Sequence, residues 1–213
     1  MHRLLFIVIV RASLFIGSAC AQTDIFDAPP THMKERAFSF SLSTSGLGLG
    51  GTYRFPLPSY SHIGVNLEFF ILRDDKEFEY YNQLYNISTK INNVNRFFIV
   101  PANVELKKRL FTNSIEDNFR PHLMVQAGAV FGMNFPREDA ITLGEAEGGN
   151  IPTDNQYQVT YNAVFGFGVD VSTRKNYFVT IRPQYRLTFF QDEIAGDKNH
   201  SAFEIKFEIG GQY

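Results

Sequence analysis

The sequence predicts an all-β protein: an eight-stranded antiparallel up-and-down transmembrane β-barrel. Three observations lead there. Beyond residue 36 most of the chain alternates apolar and polar side chains at the two-residue period of a strand. The aromatic usage, 22 Phe and 10 Tyr against no Trp, suits pleated strands better than helices. Past residue 21 no apolar run approaches the roughly 20 residues a membrane helix needs, so any membrane-spanning part must be a closed barrel.

A length of 213 residues is that of one domain with a short extension. Lys plus Arg number 20 and Asp plus Glu 22, so the chain offers no electrostatic footprint for nucleic acid.

Residues 1–21, MHRLLFIVIVRASLFIGSACA, read as a secretory signal peptide. Arg3 precedes an apolar run, and Ala19-Cys20-Ala21 is a small-residue site for cleavage after Ala21. Arg11 interrupts the run, leaving it far too short to span a bilayer. Cleavage before Cys20 and lipidation of its thiol is a competing reading, although Gly17 stands where lipoprotein signals usually carry a Leu-like residue. Cleavage after Ala21 leaves no cysteine and hence no disulfide. Residues 22–36, with Pro29-Pro30, mixed charge and no periodicity, read as a periplasmic linker, and residues 37–213 as the barrel.

The strands follow in order. Phe38, Phe40 and Leu42 are apolar at even positions but Leu47, Leu49, Tyr53 and Phe55 at odd ones, so the segment from Ala37 to Phe55 divides into two strands at Thr44-Ser45-Gly46. Next come Ile63 to Ile71, Phe98 to Leu110, Pro121 to Phe135, Tyr157 to Val171 and Tyr177 to Phe190. The last strand is the plainest: Phe203, Ile205, Phe207, Ile209 and Tyr213 oppose Glu204, Lys206, Glu208 and Gln212. Only Phe178 and Phe190 break the polar face of the preceding strand. With eight strands, the short connections (56–61, 112–119, 172–176) fall on one rim and the long ones (73–95, 136–156, 191–201) on the other. Outer-membrane barrels have this asymmetry, with long loops outside the cell and both termini in the periplasm.

Alternation alone does not say which face points outward. The polar face carries small residues and charges of both signs in strand interiors, as a narrow lumen filled by side chains would. That lumen is expected to hold Arg54, Lys107, Arg109, Arg182, Arg186 and Lys206 against Glu68, Glu105, Asp170, Glu204 and Glu208. Near balance is what pairing of buried charges requires, so an ion-pair ladder closing the bore is expected.

The segments GLGLGGTYRF (46–55), RPHLMVQAGAVFG (120–132) and AFEIKFEIGGQY (202–213) resemble the outer-membrane β-barrel superfamily. The small eight-stranded barrels of the OmpA transmembrane-domain and porin-family type are the most similar in pattern. The resemblance covers Ala37 to Tyr213. It implies the outer membrane of a Gram-negative-type bacterium, contact with outer-membrane lipid and lipopolysaccharide, and delivery by the barrel-assembly machinery through the terminal aromatic, which is Tyr213 here and usually Phe. The lack of Trp leaves any aromatic girdle to Tyr and Phe.

Sites for chemistry are scarce. His62, His122 and His200 have no metal-ligand spacing, and no metal or cofactor is expected. Small outer-membrane barrels include lipid A deacylases and an acyltransferase that use Ser and His, but Ser61-His62 and His200-Ser201 are adjacent pairs, whose members point to opposite faces of a strand. Catalysis is therefore not expected. Phe78, Tyr80, Tyr81 and Tyr85, among acids in the loop from Asp74 to Asn86, are candidates for contact with an unknown extracellular ligand or for packing above the membrane. Asp139, Glu145, Glu147 and Asp154 read as a solvated acidic loop. The leading expectation is a structural or surface-interaction barrel protein. A small porin-like channel, a lipid-modifying enzyme and a soluble lipocalin-like carrier are the rivals.

Overall fold

The computed structural model describes residues 33–73, 78–82, 87–91, 95–112, 118–136, 154–174 and 176–213. The signal peptide with Cys20, most of the linker, Tyr85 and the acidic residues 139, 145 and 147 lie outside the described residues.

The described residues form eleven strands: β1 (Glu35–Ser43), β2 (Gly46–Leu57), β3 (Ser61–Leu72), β4 (Phe78–Asn82), β5 (Ile87–Ile91), β6 (Asn95–Arg109), β7 (Phe119–Pro136), β8 (Gln156–Arg174), β9 (Tyr177–Ile194), β10 (Asp197–Asn199) and β11 (Ala202–Gln212). Eight of them pair antiparallel in the order β1-β2-β3-β6-β7-β8-β9-β11, and β11 pairs with β1 to close the barrel. Closure leaves no unpaired edge, which is what lets strands cross a medium without water. The seam continues past the strands, where the amides of Lys34 and Tyr213 each donate to the other's carbonyl at 3.0 and 3.1 Å.

The phase switch in the first segment is a hairpin: Leu42 pairs with Leu47 and Ser43 with Gly46 across the turn Thr44-Ser45. At the opposite rim β2 turns into β3 through Ser59 and Tyr60, both at positive φ, and the Arg109 amide donates to the Tyr60 carbonyl at 3.0 Å. Between β9 and β10 the turn is Ala195-Gly196, again at positive φ, where glycine is the natural occupant. Within the stretch read as a loop from Asp74 to Asn86, residues 78–82 form β4 and pair with β5, Phe78 opposite Ile91 and Tyr81 opposite Ser88. Tyr81 is exposed.

β1 starts at Glu35, inside the stretch read as linker. The pattern misleads there because neither Glu35 nor Arg36 is apolar: Glu35 points into the bore and Arg36 stands exposed on the rim.

The apolar face points outward. Phe38, Leu49, Val65, Leu67, Val104, Val125, Phe165, Phe167, Ile181, Tyr185, Phe203, Ile205 and Ile209 are all exposed on the wall. A soluble carrier barrel buries this face, and here it forms the outside. Toward the long-connection rim the wall carries a band of touching rings: Phe69 to Phe98 at 5.7 Å, Phe98 to Phe135 at 6.0 Å, Phe135 to Tyr157 at 5.9 Å. Toward the short-turn rim Tyr53 contacts Phe55 at 4.9 Å and Tyr213 at 6.4 Å. Ring contacts near both rims match the aromatic girdles of barrels in a bilayer, made here without Trp.

Candidate functional site: the bore

The bore has two zones, whereas the sequence leads to the expectation of a lumen filled by a polar and ionic network. Its end toward the long connections is apolar. Phe70 and Leu72 from β3, Phe97 and Ile99 from β6, Val130 from β7, and Phe190 and Ile194 from β9 pack into one buried cluster. His200 closes it from above, its ring 4.5 Å from Phe97 and 5.5 Å from Phe190. Glycines make the space: a Cβ on Gly48 would lie 2.5 Å from the Phe70 ring, and one on Gly132 would lie 2.8 Å from Phe190. Within the glycine-rich stretch 46–51, Gly48 therefore makes room for its register partner Phe70 and Gly50 for Glu68, both on the neighbouring strand β3. Phe178 is likewise buried inside, against Gly210 near the other end.

Below this plug the interior is ionic. Buried among the described residues are six carboxylates (Glu35, Glu68, Glu105, Asp170, Glu204, Glu208) and five cations (Arg54, Lys107, Arg182, Arg186, Lys206). Glu35 is the member that sequence reasoning missed. Arg109 lies elsewhere: it is half-buried at the short-turn rim, its guanidinium 5.7 Å from the Tyr60 ring centre. Alternation aims it inward, but it stands at the last position of β6, where inward means the mouth of the bore.

The charges form a ladder. Arg54 reaches three carboxylates, Glu208 at 2.7 Å, Glu35 at 3.3 Å and Glu105 through a close Nε contact. Lys107 bridges Asp170 at 2.6 Å and Glu35 at 3.1 Å. Arg182 pairs with Glu208 at 2.7 Å, and Lys206 with Glu68 at 2.5 Å. Arg186 pairs with Glu204 at 3.2 Å, and its guanidinium lies 4.2 Å from the Phe70 ring centre, joining ladder to plug. Neutral groups fill remaining positions: Gln126 donates to Glu105 at 2.5 Å, Gln184 to Glu204 at 2.6 Å, and the Thr180 hydroxyl to Asp170 at 2.6 Å. Gln184 is a working member of the ladder, since it also accepts from Arg182 at 3.1 Å.

At the short-turn mouth a recess of about 30 Å³ opens between Glu35, Tyr60, His62, Lys107, Arg109 and Asp170. That holds roughly one water. His62 lies 3.8 Å from Glu35, while Ser61 donates to the Ser59 carbonyl at 3.3 Å. Ser201 accepts from the Thr188 amide at 3.1 Å, and His200 sits on the plug. Each member of the two Ser and His pairs is thus engaged with other groups. Among the described residues no three His, Cys, Asp or Glu are placed to hold a metal ion.

Arg186 and Glu204 form the simplest rung, so they suit a double-mutant cycle. Arg186→Met and Glu204→Gln are each expected to destabilise by roughly 3–5 kcal/mol, because each leaves its partner buried without its counter-charge, and the double variant by clearly less than their sum. Urea unfolding in lipid vesicles reads all three. Strict additivity would show that the rung is not coupled.

No family model and no curated protein matches the chain. Solved structures similar to it include the outer membrane protein OprG from Pseudomonas aeruginosa, at 10% identity over 87% of this chain and 98% of that one with a TM-score of 0.49. The N-terminal β-barrel domain of OprF from the same organism is similar at 12% identity, 85% and 98% coverage and a TM-score of 0.47. Neisserial surface protein A is similar at 10% identity, 84% and 93% coverage and a TM-score of 0.47. The chain is a closed eight-stranded antiparallel β-barrel, and the three solved structures named above are outer-membrane barrels.

Proposed function

We propose that this protein is an integral outer-membrane β-barrel with a structural or surface-interaction role and a bore that does not conduct. One observation carries the reading: the wall is apolar outside while the interior is blocked twice, by charges neutralising one another and by the aromatic plug above them. In an eight-stranded barrel the interior is just wide enough for side chains to fill it. A water-filled pore has no need of such mutual pairing, and no use for Phe70, Phe97 and Phe190 across its axis. Export through the signal peptide, cleavage after Ala21, long connections outside the cell and both mature termini in the periplasm complete the proposal. The short-turn rim is then the periplasmic one.

Planar-bilayer recording on the purified mature protein tests it. The expected result is the absence of steady single-channel current from a preparation whose heat-modifiable gel mobility shows folded barrel. Large, steady conductance from the wild type would replace this reading with that of a small channel.

A further inference from the structure

On the outer wall, across the seam between β1 and β11, lies a depression of about 410 Å³ bordered by Arg36, Phe38, Tyr177, Ile209 and Gly211. One residue makes it. Gly211 stands between Arg36 and Tyr177 in the register of three neighbouring strands, at a position whose side chain would face outward. A Cβ there meets nothing nearer than the Asn176 carbonyl at 3.4 Å, so the notch is open. In the next outward row Phe38 and Ile209, both exposed, give it an apolar flank.

The notch runs to the short-turn rim, and cations stand there. Arg36 lies 5.2 Å from the Tyr213 ring centre and Lys34 lies 5.7 Å from that of Phe55, so both sit in the lower aromatic band. Two residues apart on one strand face, their Cα atoms are separated by roughly 7 Å. Glu35, between them in sequence, points into the bore and is bound there by Arg54 and Lys107. A second wall depression, about 580 Å³, is bordered by Gly51, Val65, Leu67, Ala102, Val104 and Ala127 and has no charged residue around it. It offers an acyl chain room but gives a headgroup no partner.

We propose that the Gly211 notch docks one acidic phospholipid of the leaflet at the short-turn rim. The phosphodiester sits between Lys34 and Arg36, and one acyl chain fills the notch against Phe38 and Ile209. Arg36 is the stronger anchor because its guanidinium grips phosphate oxygens through two parallel N–H groups. The aromatic rings beneath the two cations hold them at the level where the headgroups lie. This proposal rests on the reading of the protein as an outer-membrane barrel.

The test is native mass spectrometry of the full mature protein, refolded in detergent and titrated with phosphatidylglycerol or phosphatidylcholine. The wild type is expected to retain one phosphatidylglycerol in preference to phosphatidylcholine. Arg36→Gln, a change at an exposed side chain, should weaken that retention about five-fold, as removal of one cation beside an anionic lipid surface does. Gly211→Leu, which fills the notch, should lower retention of both lipids. Equal retention of the two lipids by the wild type, or undiminished phosphatidylglycerol binding by Arg36→Gln, would overturn the site. Vesicle insertion of the wild type separates the two failures: a protein that inserts but shows no lipid preference lacks the site, whereas one that does not insert is not a membrane barrel.

Discussion

Replacing Arg54 by Leu is expected to destabilise the barrel by at least about 3–5 kcal/mol, the cost of stranding a buried charge when its partner is removed. That figure is a lower bound, because Arg54 holds three carboxylates, Glu35, Glu105 and Glu208, and all four residues are buried. Without the guanidinium, Glu35 keeps Lys107 and Glu208 keeps Arg182, whereas Glu105 keeps the Gln126 amide and a distant Arg182 at 3.9 Å. The loss should therefore concentrate at Glu105. Arg54→Leu combined with Glu105→Gln is expected to recover a large part of the stability, since the stranded charge is removed with its partner. Arg54→Lys should fall between, keeping the charge but losing the fork that reaches three acids at once. Urea unfolding of the protein folded into vesicles, followed by gel mobility or Tyr fluorescence, gives the comparison. A loss below about 1 kcal/mol for Arg54→Leu would mean that solvent reaches this level of the bore and screens the carboxylates.

The strand plan is legible in the sequence because a barrel wall separates two environments, and period-two alternation records that separation directly. The split of the first segment and the two unequal rims follow from it, whereas the outward face is read from the small residues and the charges of both signs on the polar face. What alternation does not record is the division of the bore along its axis. Phe70, Phe97 and Ile99 sit at inward positions but are apolar, so they break the pattern near strand ends, where a break resembles a boundary. The glycines that make room for Phe70 and Phe190 are legible as Gly48 and Gly132, but a glycine signals missing volume without saying which residue on another strand uses it. Glu35 is hidden for a related reason. A charged residue at the start of a strand reads like linker, and what brings it inside is its distance of 3.3 Å from Arg54 and 3.1 Å from Lys107, contacts made across three strands. Arg109 shows the reverse error: parity is right, but its depth along the strand puts it at the mouth. Face is local information, whereas depth and partner depend on register around the closed ring.

Register also decides where a charge on the wall does most harm. Phe207 lies at the centre of β11, opposite Phe40 on β1 and Ile181 on β9, on the apolar outer wall between the two rims. Its ring is half-buried among those neighbours on the outer wall. Phe207→Arg would place a guanidinium at this depth, where the cost for a barrel in a bilayer is about 2–4 kcal/mol, with the packing of the ring lost in addition. Near the interface the cost of a charge falls to about 0–1 kcal/mol, so Asp192→Arg, at an exposed position near the long-connection end of β9, is a control for adding an arginine away from the midplane. The expected result is failure of Phe207→Arg to acquire heat-modifiable mobility in vesicles under conditions where Asp192→Arg and the wild type both do. The interior predicts the opposite preference for charge: Lys206 and Glu208 flank Phe207 in sequence yet point inward, where Lys206 meets Glu68 and Glu208 meets Arg54 and Arg182. Lys206→Leu should therefore harm the barrel although it makes the strand more apolar, which a soluble protein with a buried apolar face would not reproduce. If Phe207→Arg folded as readily as Asp192→Arg, the outer wall would be facing water, and the membrane reading of the whole chain would fall with it.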